Sequence, residues 1–270
     1  MIHSTVVVDP NAQIDPSAEV GPYCVIGPNV IIGPGAKLHA HVVVERNTEI
    51  GEGTEIYPFA SIGGAPQDLK YEGGPTRLVI GKHNRVREYV TISRGTEVGG
   101  GLTRIGDRNL LMAYVHIAHD CMIGSEVIMA NAVTLGGHVV IEDRAVLGGL
   151  VGIHQFCRVG AMAMVGATSA TSRDIPPYTL AAGSRGMELG LRGLNLIGLR
   201  RRALSTETIS ALKKTYQMIF LSGNLRTESI GEAERTYGQV PEVAHMIKFI
   251  RESERGIPRH SEKRSAEEEF

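Results

Sequence analysis

Aliphatic residues recur along this chain every six positions. Steps of six from Val8 reach Ile14, Val20, Ile26, Ile32, Leu38, Val44, Ile50, Ile56 and Ile62 without a miss. At 42% apolar content, chance yields such a run with a probability on the order of 10⁻⁴ per phase. The phase resumes at Ile80, Val86, Ile92 and Val98. After a one-residue slip it continues through Ile105, Leu111, Ile117, Ile123, Met129, Leu135, Ile141, Leu147, Ile153, Val159 and Val165. A period of six suits neither a helix nor an alternating strand. It suits short strands joined by tight turns, three to a coil of about 18 residues. The pattern therefore predicts a mainly β protein, a parallel β-helix of triangular section in roughly eight coils, nine or ten with the ragged ends. Each repeat residue would point inward and stack on its counterpart one coil later, about 4.8 Å away. Glycine follows 13 of the repeat positions, as expected if each corner needs a residue with free φ.

Two segments interrupt the repeat. Residues 64–78 (GAPQDLKYEGGPTRL) put Asp68 and Gly74 where aliphatics should stand, and residues 99–104 (GGGLTR) carry the slip. Both should leave the coil as loops, and insertions in a regular solenoid are where binding concentrates. Beyond Pro176-Pro177 the pattern stops. From Ser205 a helical face appears in Ile209, Leu212, Tyr216 and Ile219, ending at Gly223, and a second in Val243, Met246, Ile247 and Ile250 behind Pro241. The expected organisation is a β-helix over residues 1–190, a small helical domain over 191–256 and a disordered, charged tail over 257–270.

Composition narrows the function. The 28 basic and 29 acidic residues argue against a general electrostatic grip on nucleic acid or anionic membrane. No apolar stretch is long enough for a membrane span and no export signal is evident. Three scattered cysteines, Cys24, Cys121 and Cys157, fit a reduced, cytoplasmic setting better than a disulfide framework.

Histidines carry the candidate chemistry. One coil above His119 stands Gly137, and above that Gln155; above Asp120 stands His138, then Phe156; below His154 stands Gly136. His116, His119, His138 and His154 thus share one outer sector of three successive coils, roughly 10 Å along the axis. Such a cluster serves general-base catalysis, a three-imidazole metal site or a solvated polar patch. His39 and His41 lie coils away, and His3, His83, His245 and His260 show no partners in sequence, so no chemistry is assigned to them.

Together with the hexads, the segments HIAHDC (116–121), LGGH (135–138), IHQFC (153–157), QDLKY (67–71), DIPPY (174–178) and GLNLIGLRRR (193–202) closely resemble the family of acyl-(acyl-carrier-protein):UDP-N-acetylglucosamine O-acyltransferases. The resemblance covers residues 1 to about 256 and implies a left-handed coil, a homotrimer with active sites between neighbouring β-helices, and the first step of lipid A biosynthesis. It implies no cofactor and no metal. His119 would be the general base at the glucosamine 3-hydroxyl, Asp120 its orienting partner, and the Gly137 N–H the oxyanion donor. His116, His138, His154 and Gln155 would contact sugar and nucleotide. Asp68 and Lys70 would reach in from a neighbouring subunit, Asn195 and Arg201 would serve the nucleotide and acyl-carrier-protein side, and Met164 and Ala167 would line the acyl groove. Two positions depart from the family pattern: Ser93 where many relatives have histidine, and Ile197 matched to a glutamate. Either bears on whether the acceptor is a 3-hydroxyl or a 3-amino sugar. The competing functions are an acetyl-coenzyme A sugar acetyltransferase, a zinc carbonic anhydrase on the same fold, and a non-catalytic solenoid.

Overall fold

The computed structural model describes residues 1–183, 189–223 and 226–261. Strands mostly two residues long form three sheets of nine, eight and ten strands, and hydrogen-bonded neighbours within a sheet lie mostly three strands apart in sequence. Val25 pairs with Val43, Ile31 with Glu49 and Lys37 with Glu55, each in parallel register. This is the triangular β-helix that the six-residue period predicts. The strands are short because each side of the triangle holds one inward aliphatic; Ile26, Ile32 and Leu38, on three sides of one coil, are all buried.

A second inward column escapes the period-six count because its members are small. Ala18, Cys24, Val30, Ala36 and Val42 fill the corners and are buried. All three cysteines belong to it as free, buried thiols. Burial pushes the Cys121 thiol up to about 12, so it acts as a small apolar filler.

The expected role of the glycines is corrected. Of the thirteen that follow a repeat position, only Gly63 has a positive φ, 74°. The left-handed corner residues are mostly others, such as Tyr23, Asn29 and Asp120. Glycine is needed for clearance instead: a Cβ on Gly51 would lie 2.5 Å from the Gly81 carbonyl oxygen of the next coil.

Both interruptions leave the coil, but the second differs from its expected form. Ile50 pairs with Ile80, so the first loop, residues 65–76, adds two whole hexads and preserves the phase. Ile80 pairs with Ile105 and Ile92 with Ile117, a spacing of 25 where an unbroken coil gives 18. The second loop, within residues 94–101, therefore adds seven residues to the coil and mimics a one-residue slip. Val98, counted in the repeat, lies within it and is 79% exposed.

At the C-terminal end Gly190–Leu194 pairs antiparallel with Thr179–Ala182 and closes the ten-stranded sheet. Helices α1 (Leu196–Arg201), α2 (Thr206–Phe220), α3 (Arg226–Tyr237) and α4 (Pro241–Arg251) follow. Ser205 caps α2 by accepting from the Thr208 N–H at 3.1 Å, and the predicted faces of α2 and α4 are buried apart from the half-buried Ile209. Helix α4 is fastened to the β-helix by His245, which meets Tyr178 Oη at 2.9 Å and Glu142 Oε2 at 3.0 Å. His260 likewise meets Tyr216 Oη at 2.9 Å, so both histidines have structural partners invisible in sequence. The expected tail begins too early. Ile257 is buried and His260 bridges to Leu191, because one apolar residue suffices to pin this segment; residues 262–270 lie outside the described residues. His41 belongs to an exposed ladder of stacked rings, Tyr23, His41, Phe59, Tyr89 and Tyr114, with centroids 5.0 to 5.1 Å apart.

Candidate active site

The corner after strand His116–Ile117 carries His119 and Asp120, and the 18-residue stack places Gly137 and His138 directly above them. The His138 N–H donates to the His119 carbonyl at 3.0 Å, and the Phe156 N–H to the Gly137 carbonyl at 3.0 Å. A Cβ at Gly137 would lie 2.5 Å from His119 Cε1, so the imidazole occupies the space that only glycine leaves open. Among the described residues the Gly137 N–H has no acceptor.

Asp120 is 5% exposed, and its Oδ2 lies 2.8 Å from His119 Nδ1. A carboxylate can only accept there, which puts the imidazole proton on Nδ1 and leaves the Nε2 lone pair facing out. Three acidic or imidazole groups face His119. Asp120 sits behind it, Asp68 Oδ2 lies 3.9 Å from Nε2, and the His138 ring meets it edge-on at 5.1 Å between centroids. Burial lowers the His138 imidazole below its ordinary value, although the Asp120 carboxylate opposes this. Burial lowers His116 as well. In both, burial favours the neutral, hydrogen-bonding imidazole. His116 Nδ1 lies 2.7 Å from Thr91 Oγ1, and the His138 ring stacks on Phe156 at 4.4 Å.

His119, Asp120 and His138 are also the one group of possible metal ligands among the described residues, with donor atoms within 4.8 Å of one another. The donor set fits an ion poorly. Asp120 Oδ2 already accepts from Thr96 Oγ1 at 2.7 Å besides His119, and both Asp120 oxygens face the Thr96 N–H.

The structure gathers His119, Asp120, Gly137, His138 and Asp68 into one place, while His116 stands on the preceding strand against Thr91. Asp68, expected to reach in from a neighbouring subunit, is also brought to the His119 of its own chain by the first loop, Oδ2 lying 3.9 Å from Nε2. Lys70 lies exposed on that loop, its N–H bonded to Asp68 Oδ1 at 3.0 Å. His154 and Gln155 stand exposed one coil higher, along an open groove lined by Thr134, Gly136, Gly152 and Ser172. Asn195, Arg201, Met164 and Ala167 are not brought to the histidines within one chain. Asn195 caps α1, accepting from the Gly198 N–H at 3.1 Å and donating to the Met162 carbonyl at 3.0 Å. Arg201 is exposed at the end of that helix. Met164 points out of the ten-stranded sheet, whereas His116 lies on the nine-stranded one, and Ala167 sits exposed at the corner between these two. Of the departures, Ser93 is buried in register with Gly64 at the foot of the first loop, and Ile197 is 66% exposed.

Three contributors were not foreseen. Arg94, 2% exposed, donates to Tyr71 Oη at 3.1 Å and ties the first loop to the coil. Thr96 holds Asp120. Arg255, far along the chain, places Nη2 2.7 Å from His154 Nδ1. No repeat or spacing marks it.

A repeat-built β-helix with a carboxylate-backed histidine on its wall and a helical cap defines the hexapeptide-repeat transferases. The profile described as bacterial transferase hexapeptide (six repeats) matches residues 1–34, 29–64 and 102–137. That described as UDP N-acetylglucosamine O-acyltransferase, domain 2, matches residues 174–258. The acyl-(acyl-carrier-protein)–UDP-N-acetylglucosamine O-acyltransferase of Janthinobacterium sp. (strain Marseille) is 50% identical over 96% of this chain and 98% of its own. The enzyme of that name from Thermodesulfovibrio yellowstonii is 51% identical over 96% and 99%. The crystal structure of the UDP-N-acetylglucosamine O-acyltransferase from Moraxella catarrhalis superposes with a TM-score of 0.92 at 44% identity, over 96% and 99% of the two chains. The chain belongs to the UDP-N-acetylglucosamine O-acyltransferase family. It is an acyltransferase, and its β-helix is left-handed.

Proposed function

We propose that the protein transfers a 3-hydroxyacyl chain from acyl-carrier protein to the glucosamine 3-position of UDP-N-acetylglucosamine, the first step of lipid A biosynthesis, with His119 as general base. The observation that carries this reading is the bond from His119 Nδ1 to the buried Asp120 at 2.8 Å, which leaves Nε2 as the outward acceptor. Nε2 takes the proton of the 3-hydroxyl as that oxygen attacks the thioester carbonyl carbon. The tetrahedral oxyanion accepts from the unpartnered Gly137 N–H. On collapse the carbon–sulfur bond breaks and the imidazolium returns its proton to the leaving thiolate.

Asp68, Lys70, His116, His138, His154 and Gln155 bind the sugar nucleotide around this centre. Asn195, Met164 and Ala167 lie on other faces of the same chain, so a second copy is needed to bring them to the base; this supports a homotrimer with its sites between subunits. The exposed Arg201, within a run of three arginines, suits an acidic carrier protein. The helical domain, residues 191–256, thus serves docking and the β-helix, residues 1–190, serves catalysis. Three free, buried cysteines suit the cytoplasm, and no described helix is long and apolar enough to cross a membrane.

The test is to incubate purified protein with UDP-N-acetylglucosamine or its 3-amino counterpart, and with 3-hydroxyacyl-carrier proteins or acetyl-coenzyme A. The expected product is the 3-O-acyl sugar nucleotide, formed from the carrier-protein donors. Transfer from acetyl-coenzyme A alone, or to the 3-amino sugar alone, contradicts the assignment.

A further inference from the structure

The second loop wraps the carboxylate behind the base. Thr96 is 1% exposed. Its N–H faces Asp120 Oδ1 at 3.0 Å and Oδ2 at 3.1 Å, and its hydroxyl lies 2.7 Å from Oδ2. Because Thr96 Oγ1 also accepts from the Gly99 N–H at 3.1 Å, the hydroxyl proton is left to point at the carboxylate. The loop is closed on itself, the Gly101 N–H reaching the Thr96 carbonyl at 2.8 Å, and it is tied to the wall through the Arg77 N–H and Gly101 carbonyl at 2.9 Å. Its approach to Asp120 is close enough to demand glycine: a Cβ at Gly99 would overlap the carboxylate, and one at Gly95 would lie 2.8 Å from Oδ1. From the other side the Asp120 N–H donates to Thr103 Oγ1 at 2.8 Å.

Besides Thr96, Asp120 Oδ2 holds His119 Nδ1 at 2.8 Å, with His138 Nε2 farther off at 3.8 Å. A carboxylate held this way cannot turn, and the imidazole it holds cannot change tautomer without breaking a buried hydrogen bond. We infer that Thr96 is a positioning residue for the acyl transfer: its hydroxyl and amide fix Asp120, and through Asp120 they fix the orientation and tautomer of His119. Thr96 touches neither substrate nor reacting atoms. This rests on His119 being the base, as proposed above. It gives the seven-residue insertion a catalytic purpose, since without it the buried face of Asp120 would have no donors.

The test compares Thr96→Val, Thr96→Ala, Thr96→Ser and His119→Ala as full-length protein. Thermal melts and kcat and KM for UDP-N-acetylglucosamine with a 3-hydroxyacyl-carrier protein are measured across the pH range. His119→Ala should be inactive. Thr96→Val should lose about tenfold in kcat with KM within about twofold. The acid limb of its kcat/KM profile should move to higher pH, because a carboxylate short of one donor holds a proton on the imidazole more strongly. The other charged or titratable groups facing His119, Asp68 and His138, are unchanged. Thr96→Ser, which keeps the hydroxyl, should recover most of kcat and the original limb. Thr96→Ala removes the hydroxyl without the bulk of valine and should repeat the valine result if that variant does not fold. An inactive His119→Ala beside Thr96 variants with wild-type kcat and an unshifted limb, or with a raised KM alone, overturns the positioning role and leaves the base standing. An active His119→Ala overturns both.

Discussion

Adding one methyl group at Gly137 separates catalysis from stability. In Gly137→Ala the new Cβ would stand 2.5 Å from Cε1 and 2.7 Å from Nε2 of His119, against about 3.5–4.0 Å for ordinary carbon contact. The imidazole must therefore retreat by about 1 Å. It cannot retreat freely, because Asp120 holds Nδ1 at 2.8 Å and the His138 ring closes one side. A displacement of about 1 Å at a reacting group costs on the order of 10² in rate, close to 3 kcal/mol. The backbone has no objection, since Gly137 is not in the left-handed region and Gly→Ala at a compatible site gains about 0.4–1 kcal/mol through the unfolded chain. The expected result is thus a melting temperature within a few degrees of wild type, kcat down about 100-fold and KM for the sugar nucleotide changed far less. Steady-state kinetics with a 3-hydroxyacyl-carrier protein and a thermal melt on one preparation measure both. At neighbouring Gly136 the Cβ would instead strike the Gln155 backbone nitrogen at 2.8 Å, so Gly136→Ala should lose stability as well. A Gly137→Ala enzyme within about threefold of wild-type kcat would refute the placement of the reacting nitrogen beside this glycine.

Ile123, 3% exposed between Ile105 and Ile141, should not tolerate Asp: an unpaired charge in the column costs about as much as the whole fold is stable by, and soluble Ile123→Asp protein with native circular dichroism contradicts the register. Ala167→Met should move donor preference toward shorter 3-hydroxyacyl chains, with two lost methylene contacts worth about 1.6 kcal/mol or roughly tenfold; an equal loss for every donor length places the limit of the groove elsewhere. Burial alone would raise the Glu142 carboxyl, but bonds from His245 and the Ala161 N–H, with Arg158 nearby, outweigh it and hold it below its ordinary value. A depressed carboxyl stabilises above its unfolded value and loses that contribution as pH falls through the folded one. The wild-type melting temperature should therefore drop between about pH 5 and 3, and Glu142→Gln should be less stable at neutral pH but flatter over that window; identical curves contradict the latch between α4 and the β-helix.

The coil was legible because period six admits few geometries, and the stacking of Gly137 over His119 and His138 over Asp120 followed from adding one coil length. What sequence hid was of two kinds. The seven-residue insertion looked like a slip because seven exceeds a hexad by one, which drew Val98 into the repeat. Small corner residues such as Cys24 carried no periodic signal strong enough to separate them from surface alanine and threonine. The support around the base was equally hidden. Thr96 reaches Asp120, Arg94 reaches Tyr71 and Arg255 reaches His154 across separations of 24, 23 and 101 residues, and none of these pairings follows from the 18-residue step. The glycines were legible as necessary but not as to why, since clearance against the next coil and a left-handed φ leave the same residue in the sequence.

The central claim is that His119 is the base for acyl transfer. It is tested most directly by the single-turnover rate of His119→Ala with a saturating 3-hydroxyacyl-carrier protein and UDP-N-acetylglucosamine, alongside its melting curve. His119 lies outside the aliphatic column, so the melt should match wild type while the rate falls by about 10²–10⁴. A folded His119→Ala protein that transfers at near wild-type rate would contradict the account.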